Sequence, residues 1–342
     1  MLKTAVIILN WNNLGYLKKF LGTVVKFSAS EETKVYVADN GSTDGSVEWV
    51  LNNHNSAQTI KLDRNYGFAG GYSIALEKID AEYFVLLNSD VEVTPNWLVP
   101  LITYMDQNPD VASCMPRIRS WHKRDYFEYA GAAGGFIDKY GYPFCRGRVF
   151  DNIEKDFDQY NDNVDVFWAS GACMVVRSSA WKDCGGFDKD FFAHMEEIDL
   201  CWRFARRGYR VSVVPASVVF HVGGGALAYD SPFKTYLNFR NNLFLLHKNL
   251  KDEDFRKIML IRKLLDSVAA IMFLLKGKGR SFRSVLKAHS DYNKNIPSLH
   301  KKRNELSLDD LPGYSMHVLN KSIVYEYFVK GNKTFKSLKM NN

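Results

Sequence analysis

From residue 4 to about residue 115 the chain alternates short apolar runs with segments of helical period: "TAVIIL", "GYLKKFLGTVVKF", "KVYVA", "SVEWVLNN", "TIKL", "YSIALEKI", "YFVLL", "WLVPLITYM" and "VASCM". Runs that are apolar on both faces suit strands covered on both sides, so the alternation predicts βαβ units and a parallel sheet between helices. The expected fold class is therefore α/β, a Rossmann-like, mostly parallel sheet flanked by helices. Sheets of this kind bind ligands beyond the carboxyl ends of their strands. Polar residues follow each run there: Asn10 and Asn12 the first, Asp39, Asn40 and Ser42 the second, Asp63, Arg64 and Asn65 the third, Asn88 and Asp90 the fourth.

Beyond this frame the pattern changes. Residues 116–165 are aromatic and Gly-rich ("EYAGAAGGFIDKYGYPFCRGRVFD") and read as a β-rich insertion able to line a cleft. Periodicity resumes with "VDVFWASGACMVVR", a helix from about Met195 to Arg207, and the strand "RVSVVP". Past residue 230 the chain reads as helical to its end, so the expected division is an α/β domain over 1–230 and a helical appendage over 231–342.

Composition narrows the classes. With 46% hydrophobic and 24% charged residues in 342, the disordered and disulfide-scaffold classes are poor fits. The net charge of +7 is concentrated late, in "KGKGRSFRSVLKAHSDYNKN" and "HKKRN". That is a local basic face without a nucleic-acid reading motif, so no nucleic-acid partner is expected. Five cysteines, at 114, 145, 173, 184 and 201, are odd in number and form no CxxC pair, which points to a reducing compartment and a cytoplasmic protein. The opening "MLKTAVIILNWNN" reads as a first strand and not as a signal peptide. The apolar stretch Leu264–Leu275 holds Asp266 and is shorter than the roughly 20 residues needed to cross a bilayer. Its flanking Lys and Arg suit a helix lying in an anionic interface at the inner face of the membrane. A helix packed on the α/β domain is the equal alternative.

Several stretches carry candidate chemistry. Asp90 ends "YFVLLNSD", and since "TPNW" supplies its own helix start at Thr94 and Pro95, Asp90 is not needed as a cap. A carboxylate at a strand's C-terminal edge suits a hard divalent cation, Mg²⁺ or Mn²⁺, whose shell is completed by phosphates and water. In "ADNGSTDGS", Asp39 is placed to accept from a base or ribose, while Asp44 and Ser46 equally suit helix capping. The glycines of "DRNYGFAGGYSIAL", Gly70 among them, open a helix and either approach a phosphate or simply ease a turn. Glu196, Glu197 and Asp199 crowd the first turn of the next amphipathic helix, where Asp199 can pair with Arg203. Glu196 and Glu197 point about 100° apart, so one is expected to be structural while the other faces the cleft as a general base. His221 ends "RVSVVPASVVFH" before "VGGGA", a glycine run able to close over ligand. A structural histidine is the plainer reading of it.

In order, "ILNWN", "DNGSTDGS", "NYGFAGG", "LLNSD", "SGACMVVR", "GGFDKDFFAHMEEIDLCWR", "RGYRV" and "FHVGGG" resemble the glycosyltransferase family 2 enzymes of GT-A fold, in particular the rhamnosyltransferase-like bacterial branch. The likeness covers about residues 3 to 245. It implies inverting transfer of a sugar from a nucleotide-diphosphate donor to a hydroxyl of a glycan or lipid-linked glycan acceptor, in cell-surface polysaccharide synthesis, with peripheral membrane contact. Rhamnose is a guess from the subfamily. By resemblance Asp90 and His221 hold the cation, Asn10, Asp39, Asn65, Gly70 and Asn88 serve the donor, and Ser170 and Gly171 lie beside the sugar. Glu197 takes the base position, with Glu196 the alternative.

Two departures stand out. Asn88 replaces the first acid of the family's DxD motif, and Glu replaces Asp at the base. The rival expectations are a nucleotidyltransferase, which would carry a basic N-terminal loop that "ILNWNNLGYL" lacks, and a non-catalytic carbohydrate-binding subunit.

Overall fold

The computed structural model describes residues 1–224, 231–306 and 317–340. Its first part follows the predicted succession: β1 (Leu2–Asn10), α1 (Leu14–Ser28), β2 (Thr33–Asp39), α2 (Ser46–Asn53), β3 (Ala57–Lys61), α3 (Gly67–Leu76) and β4 (Ala81–Asn88). Strand β1 pairs in parallel with β2 and β4, and β2 with β3. Tyr83 to Leu87 of β4 are fully buried because helices cover both sheet faces. Helix α1 contributes Leu17, Phe20, Leu21 and Val24, the spacing of a single apolar stripe turned to the sheet.

After β4 come β5 (Val91–Val93), α4 (Leu98–Gln107) and β6 (Val111–Ser120). The expected helix start at Thr94 is corrected: α4 begins at Leu98, after a turn in which Asn96 has φ 59°. Thr94 Oγ1 is drawn away from capping and donates to the Val218 carbonyl at 2.8 Å. Residues 116–165 do form a β-rich layer, with β7 (Gly135–Asp138), β8 (Pro143–Cys145), β9 (Arg148–Val149), β10 (Asn152–Ile153) and β11 (Val164–Asp165).

The chain then returns through β12 (Cys173–Arg177), α5 (Ser178–Asp183), α6 (Glu196–Arg206) and β13 (Arg210–His221). Next are the long helices α7 (Pro232–Asn249), α8 (Asp252–Leu275) and α9 (Gly279–Glu305), followed by β14 (Val318–Leu319), α10 (Ile323–Phe328) and α11 (Phe335–Leu338). A nine-stranded, mainly parallel sheet runs β11-β13-β6-β12-β4-β1-β2-β3, with β5 added beside β13. Strands β10, β9, β8, β7 and β14 make a second, five-stranded sheet.

The last segment is not helical throughout. Strand β14 pairs in parallel with β7, matching Leu319 to Asp138. Asp138 is buried and accepts from the amides of Tyr140, Tyr142 and Ile323, stitching the tail to the small sheet. The sequence on either side of β14 is helical in pattern, and a two-residue strand leaves no periodicity to read.

Register in β13 positions the site. Its pairing with β6 steps from Val214 opposite Pro116 to Val218 opposite Arg117, a bulge at Pro215, where a ladder amide is missing. Beyond the bulge β13 also pairs antiparallel with β5, setting His221 opposite Val91. A residue from each of two distant segments thus arrives at one sheet edge.

Candidate active site

Asp90 occupies the turn between β4 and β5, and the end of β13 closes around it. Val222 N donates to the Asp90 carbonyl at 3.1 Å, Gly223 N to Asp90 Oδ2 at 3.2 Å, and His221 Nε2 lies 3.1 Å from Asp90 Oδ1. On its other side His221 Nδ1 is 3.4 Å from Glu128 Oε1, and Asn88 Nδ2 is 3.4 Å from His221 Nε2. Burial alone would lower the imidazole's pKa, but the facing carboxylates of Glu128 and Asp90 outweigh it and push His221 up to about 10. The same charge holds Asp90 below the usual carboxylate range although burial opposes it. The strand "YFVLL" therefore stops at an acid because that acid fastens a second strand end. Gly225 and Ala226 of the "VGGGA" loop lie outside the described residues.

The segment ahead of α6 is strained. Phe192, His194 and Met195 have φ of 64°, 69° and 73°, a left-handed conformation costing a non-glycine residue about 1 kcal/mol or more. This turn delivers the first turn of α6 to the cavity wall. Glu196 and Glu197 both line the cavity, and the Oε2 atom of each is buried without a hydrogen-bond partner. The expectation that one of them is structural is corrected: the structural acid is Asp199, which bonds Arg203, Lys248 and Asn249 at 2.8 to 3.0 Å. Burial raises Glu196 well above its ordinary value, and the neighbouring charge of Glu197 adds to the rise. Burial pushes Glu197 up to about 7. His194, on the same wall, is pushed down to about 4 by burial and by the charge of Lys234, so its imidazole is neutral.

The remaining strand tips divide between the cavity and its margin. Asn65 lines the cavity and is held by Asn40 Nδ2 at 3.1 Å and Gly67 N at 2.8 Å. Asn88, Ser170 and Gly171 line it as well. Ser170 Oγ is fixed by the Ala130 carbonyl and accepts from Ala172 N at 3.2 Å. Asn10 and Asp39 do not reach the wall: Asn10 Nδ2 donates to Asp39 Oδ1 at 3.1 Å, and both bond Ser42, beside wall residues Leu9 and Trp11. Gly70 is also off the wall, with Tyr66 Cβ 3.0 Å from where a Cβ would sit. Within "DRNYGFAGGYSIAL" the glycine at the cavity is Gly67, with φ 73° and Phe192 only 2.5 Å from where a Cβ would sit.

The cavity encloses about 1160 Å³ and extends from the sheet edge to α7, α8 and α10. Its far wall includes Trp168, Lys234, Asn242 and Arg262, none of which was marked by a sequence motif. Asn242 is buried, donates to the Gly141 carbonyl at 2.7 Å, and leaves its own Oδ1 without a partner. Arg262 pairs with Asp266 at 2.8 Å and stacks 3.7 Å from the Tyr142 ring, yet its buried Nη1 is unpartnered. Buried orphan donors and acceptors of this kind are unusual in a satisfied core.

A cation entering beside Asp90 would meet one carboxylate and one imidazole. Among the described residues there is no cluster of three or more His, Cys, Asp or Glu side chains placed to hold a metal. Two protein donors still fit Mg²⁺ or Mn²⁺, which complete their shells with substrate phosphates and water. All five cysteines are buried and free, and none lines the cavity.

A family model described as "Glycosyl transferase family 2" matches residues 5–185. The N-acetylglucosaminyl-diphospho-decaprenol L-rhamnosyltransferase of Mycobacterium tuberculosis is 25% identical over 224 residues, covering 60% of this chain and 71% of that protein. Among solved structures, S. aureus TarS 1-349 in complex with UDP-GlcNAc superposes with a TM-score of 0.57 at 17% identity, over 96% of this chain and 92% of that one. GalNAc-T7 with UDP, GalNAc and Mn²⁺ gives a TM-score of 0.53 at 13% identity over 77% of this chain, which spans about half (55%) of that longer chain.

Proposed function

The chain belongs to glycosyl transferase family 2, and from that membership and the cavity's geometry we propose that it transfers a sugar, with inversion, from a nucleotide-diphosphate donor to an acceptor hydroxyl. The observation that carries this reading is one cavity lined by Asp90, His221 and Glu197. Asn65, Asn88 and the Gly67 turn face the donor end, with Asn10 and Asp39 bracing the nucleoside side from behind. Ser170 and Gly171 flank the transferring sugar.

Glu197 is the base. Near neutral pH its carboxyl is about half ionised, while burial and the neighbouring charge of Glu197 hold Glu196 well above its ordinary value. Glu197 takes the proton of the acceptor hydroxyl as that oxygen bonds to the anomeric carbon. The bond from that carbon to the diphosphate oxygen breaks on the opposite face, and the nucleotide diphosphate leaves with the electron pair. Asp90 and His221 would hold a divalent cation, Mg²⁺ or Mn²⁺, whose chemistry is to neutralise charge on the departing diphosphate. To hold that cation His221 would have to release its Nε2 proton to solvent, while the Nδ1 proton would stay directed at Glu128.

The acceptor is a glycan or lipid-linked glycan, and the sugar transferred is a hexose of the rhamnose type, as the names of relatives suggest. Arg262, with an unpartnered Nη1, is suited to an anionic link in such an acceptor. Incubation with a panel of nucleotide sugars and Mn²⁺ tests the reading. Release of nucleotide diphosphate from one donor is expected, and none from any donor would favour a non-catalytic binding subunit.

A further inference from the structure

Seven large apolar side chains between Leu260 and Leu275 are exposed on α8. Leu260, Leu264, Val268, Ile271 and Leu275 recur at helical spacing and form a stripe opposite the buried face of Ile258, Arg262, Asp266 and Ala270. An outward helix face in water is normally polar, and a contiguous apolar stripe marks a surface that is covered by something. The charge around it says what. The exposed acids of α8 lie in its first turn, at Asp252, Glu253 and Asp254, while Asp266 is buried against Arg262. At the other end Lys276, Lys278, Arg280 and Arg283 are all exposed, and no Asp or Glu occurs from residue 267 to 290. An apolar stripe running into a cluster of cations is complementary to an anionic lipid surface, with hydrocarbon against the stripe and headgroups against the Lys and Arg. No helix among the described residues is long and apolar enough to cross a membrane, so the contact lies in the interface plane.

The stripe and the cavity share residues. Val268 and Met272 are exposed on α8 and also line the cavity, and Phe328 of α10, 61% exposed, does the same from the facing side. The mouth between α8 and α10 is thus rimmed by solvent-exposed hydrocarbon.

We propose that α8 docks on an anionic bilayer through its Leu260–Leu275 face, so that the cavity opens onto the membrane and takes an acceptor whose apolar tail stays in the bilayer. The acceptor half of this inference rests on the glycosyl-transfer reading; the docking half does not. The acceptor's tail leaves past Val268, Met272 and Phe328, and its polar head reaches Glu197 without the lipid being extracted into water, which would cost the burial of the whole tail.

Flotation of the full chain with vesicles of phosphatidylglycerol and phosphatidylethanolamine, against phosphatidylcholine alone, tests it. The protein is expected to float with the anionic vesicles. Leu264→Gln combined with Ile271→Gln should lower the bound fraction at least about tenfold. Arg280→Gln combined with Arg283→Gln should reduce binding toward the phosphatidylcholine level. All four positions are exposed and lie off the cavity wall, so donor hydrolysis measured without vesicles stays unchanged in both variants. Wild-type protein that stays in the soluble fraction with anionic vesicles overturns the proposal. So does a dimer in light scattering that Leu264→Gln/Ile271→Gln converts to monomer while vesicle binding is unaffected, because the face then belongs to a second copy. Intact flotation with no donor hydrolysis supports docking and counts against the transfer reading alone.

Discussion

Asp90 Oδ1 and His221 Nε2 lie 3.1 Å apart although 131 residues separate them in the chain. The contact joins the turn after β4 to the end of β13, and its backbone bonds through Val222 and Gly223 make the two strand ends one unit. Asp90→Ala should therefore act twice. It leaves the buried His221 facing Glu128 alone, and it removes a carboxylate from the proposed cation site. Calorimetric titration of the donor should show affinity enhanced by Mn²⁺ in the wild type and little enhancement in the variant. Equal enhancement in both would reject the role of Asp90.

Glu197→Gln keeps the shape of the wall and removes the base. Turnover is expected to fall about 10²–10⁴-fold with donor affinity retained. Near-normal turnover with intact donor binding would move the role to another group.

The pH dependence follows from Glu197 titrating near 7. The rate of transfer at low substrate should rise as pH increases from 6 to 8 and level off above that, once Glu197 is fully ionised. A profile flat across that range would contradict a base of that pKa.

The same shift has a stability counterpart of opposite benefit. The folded-state pKa of Glu197 lies above its ordinary 4.5, so its stabilising contribution is complete below about pH 4.5 and is lost as pH rises through 7. Glu197→Gln should consequently stabilise the fold at pH 8 by about 1 to 3 kcal/mol and change it little at pH 4. Denaturant melts at the two pH values check this, and a variant less stable at pH 8 would refute it.

Asp199 sits at the opposite extreme. Fully buried, it answers Arg203, Lys248 and Asn249, tying α6 to α7. Asp199→Ala leaves Lys248 only Asp188 and Arg203 only the carbonyls of Cys184 and Gly186, and should cost about 3 kcal/mol, read as a lowered denaturation midpoint. A loss under about 1 kcal/mol would mean that these remaining partners suffice for both cations.

The parallel half of the sheet was legible because βαβ units write their period over many residues. Apolar runs such as "AVIIL" and "YFVLL" have one stable use, and their polar ends mark one edge. The rest was hidden for identifiable reasons. Strand β5 is three residues long, and its pairing with β13 is a contact between distant segments that no local pattern records. Glu128, which clamps His221 from the far side, lies in an aromatic, irregular stretch with no motif. Gly67 outranks Gly70 at the wall only because Phe192 packs against it, a neighbour 125 residues away. That Glu196 and Glu197 both line the cavity is not written in the helical period, which sets them about 100° apart. Arg262 and Asn242 come from helices whose period reads as ordinary packing.

The bulge at Pro215 sets a count. Side chains in a strand switch faces at every residue, so the distance in residues from Pro215 to His221 decides which face the imidazole occupies. Removing or adding one residue there would turn the ring toward the wrong side of the sheet while leaving composition and hydrophobicity almost untouched. Over this stretch the number of residues is as much a part of the site as the imidazole that ends it.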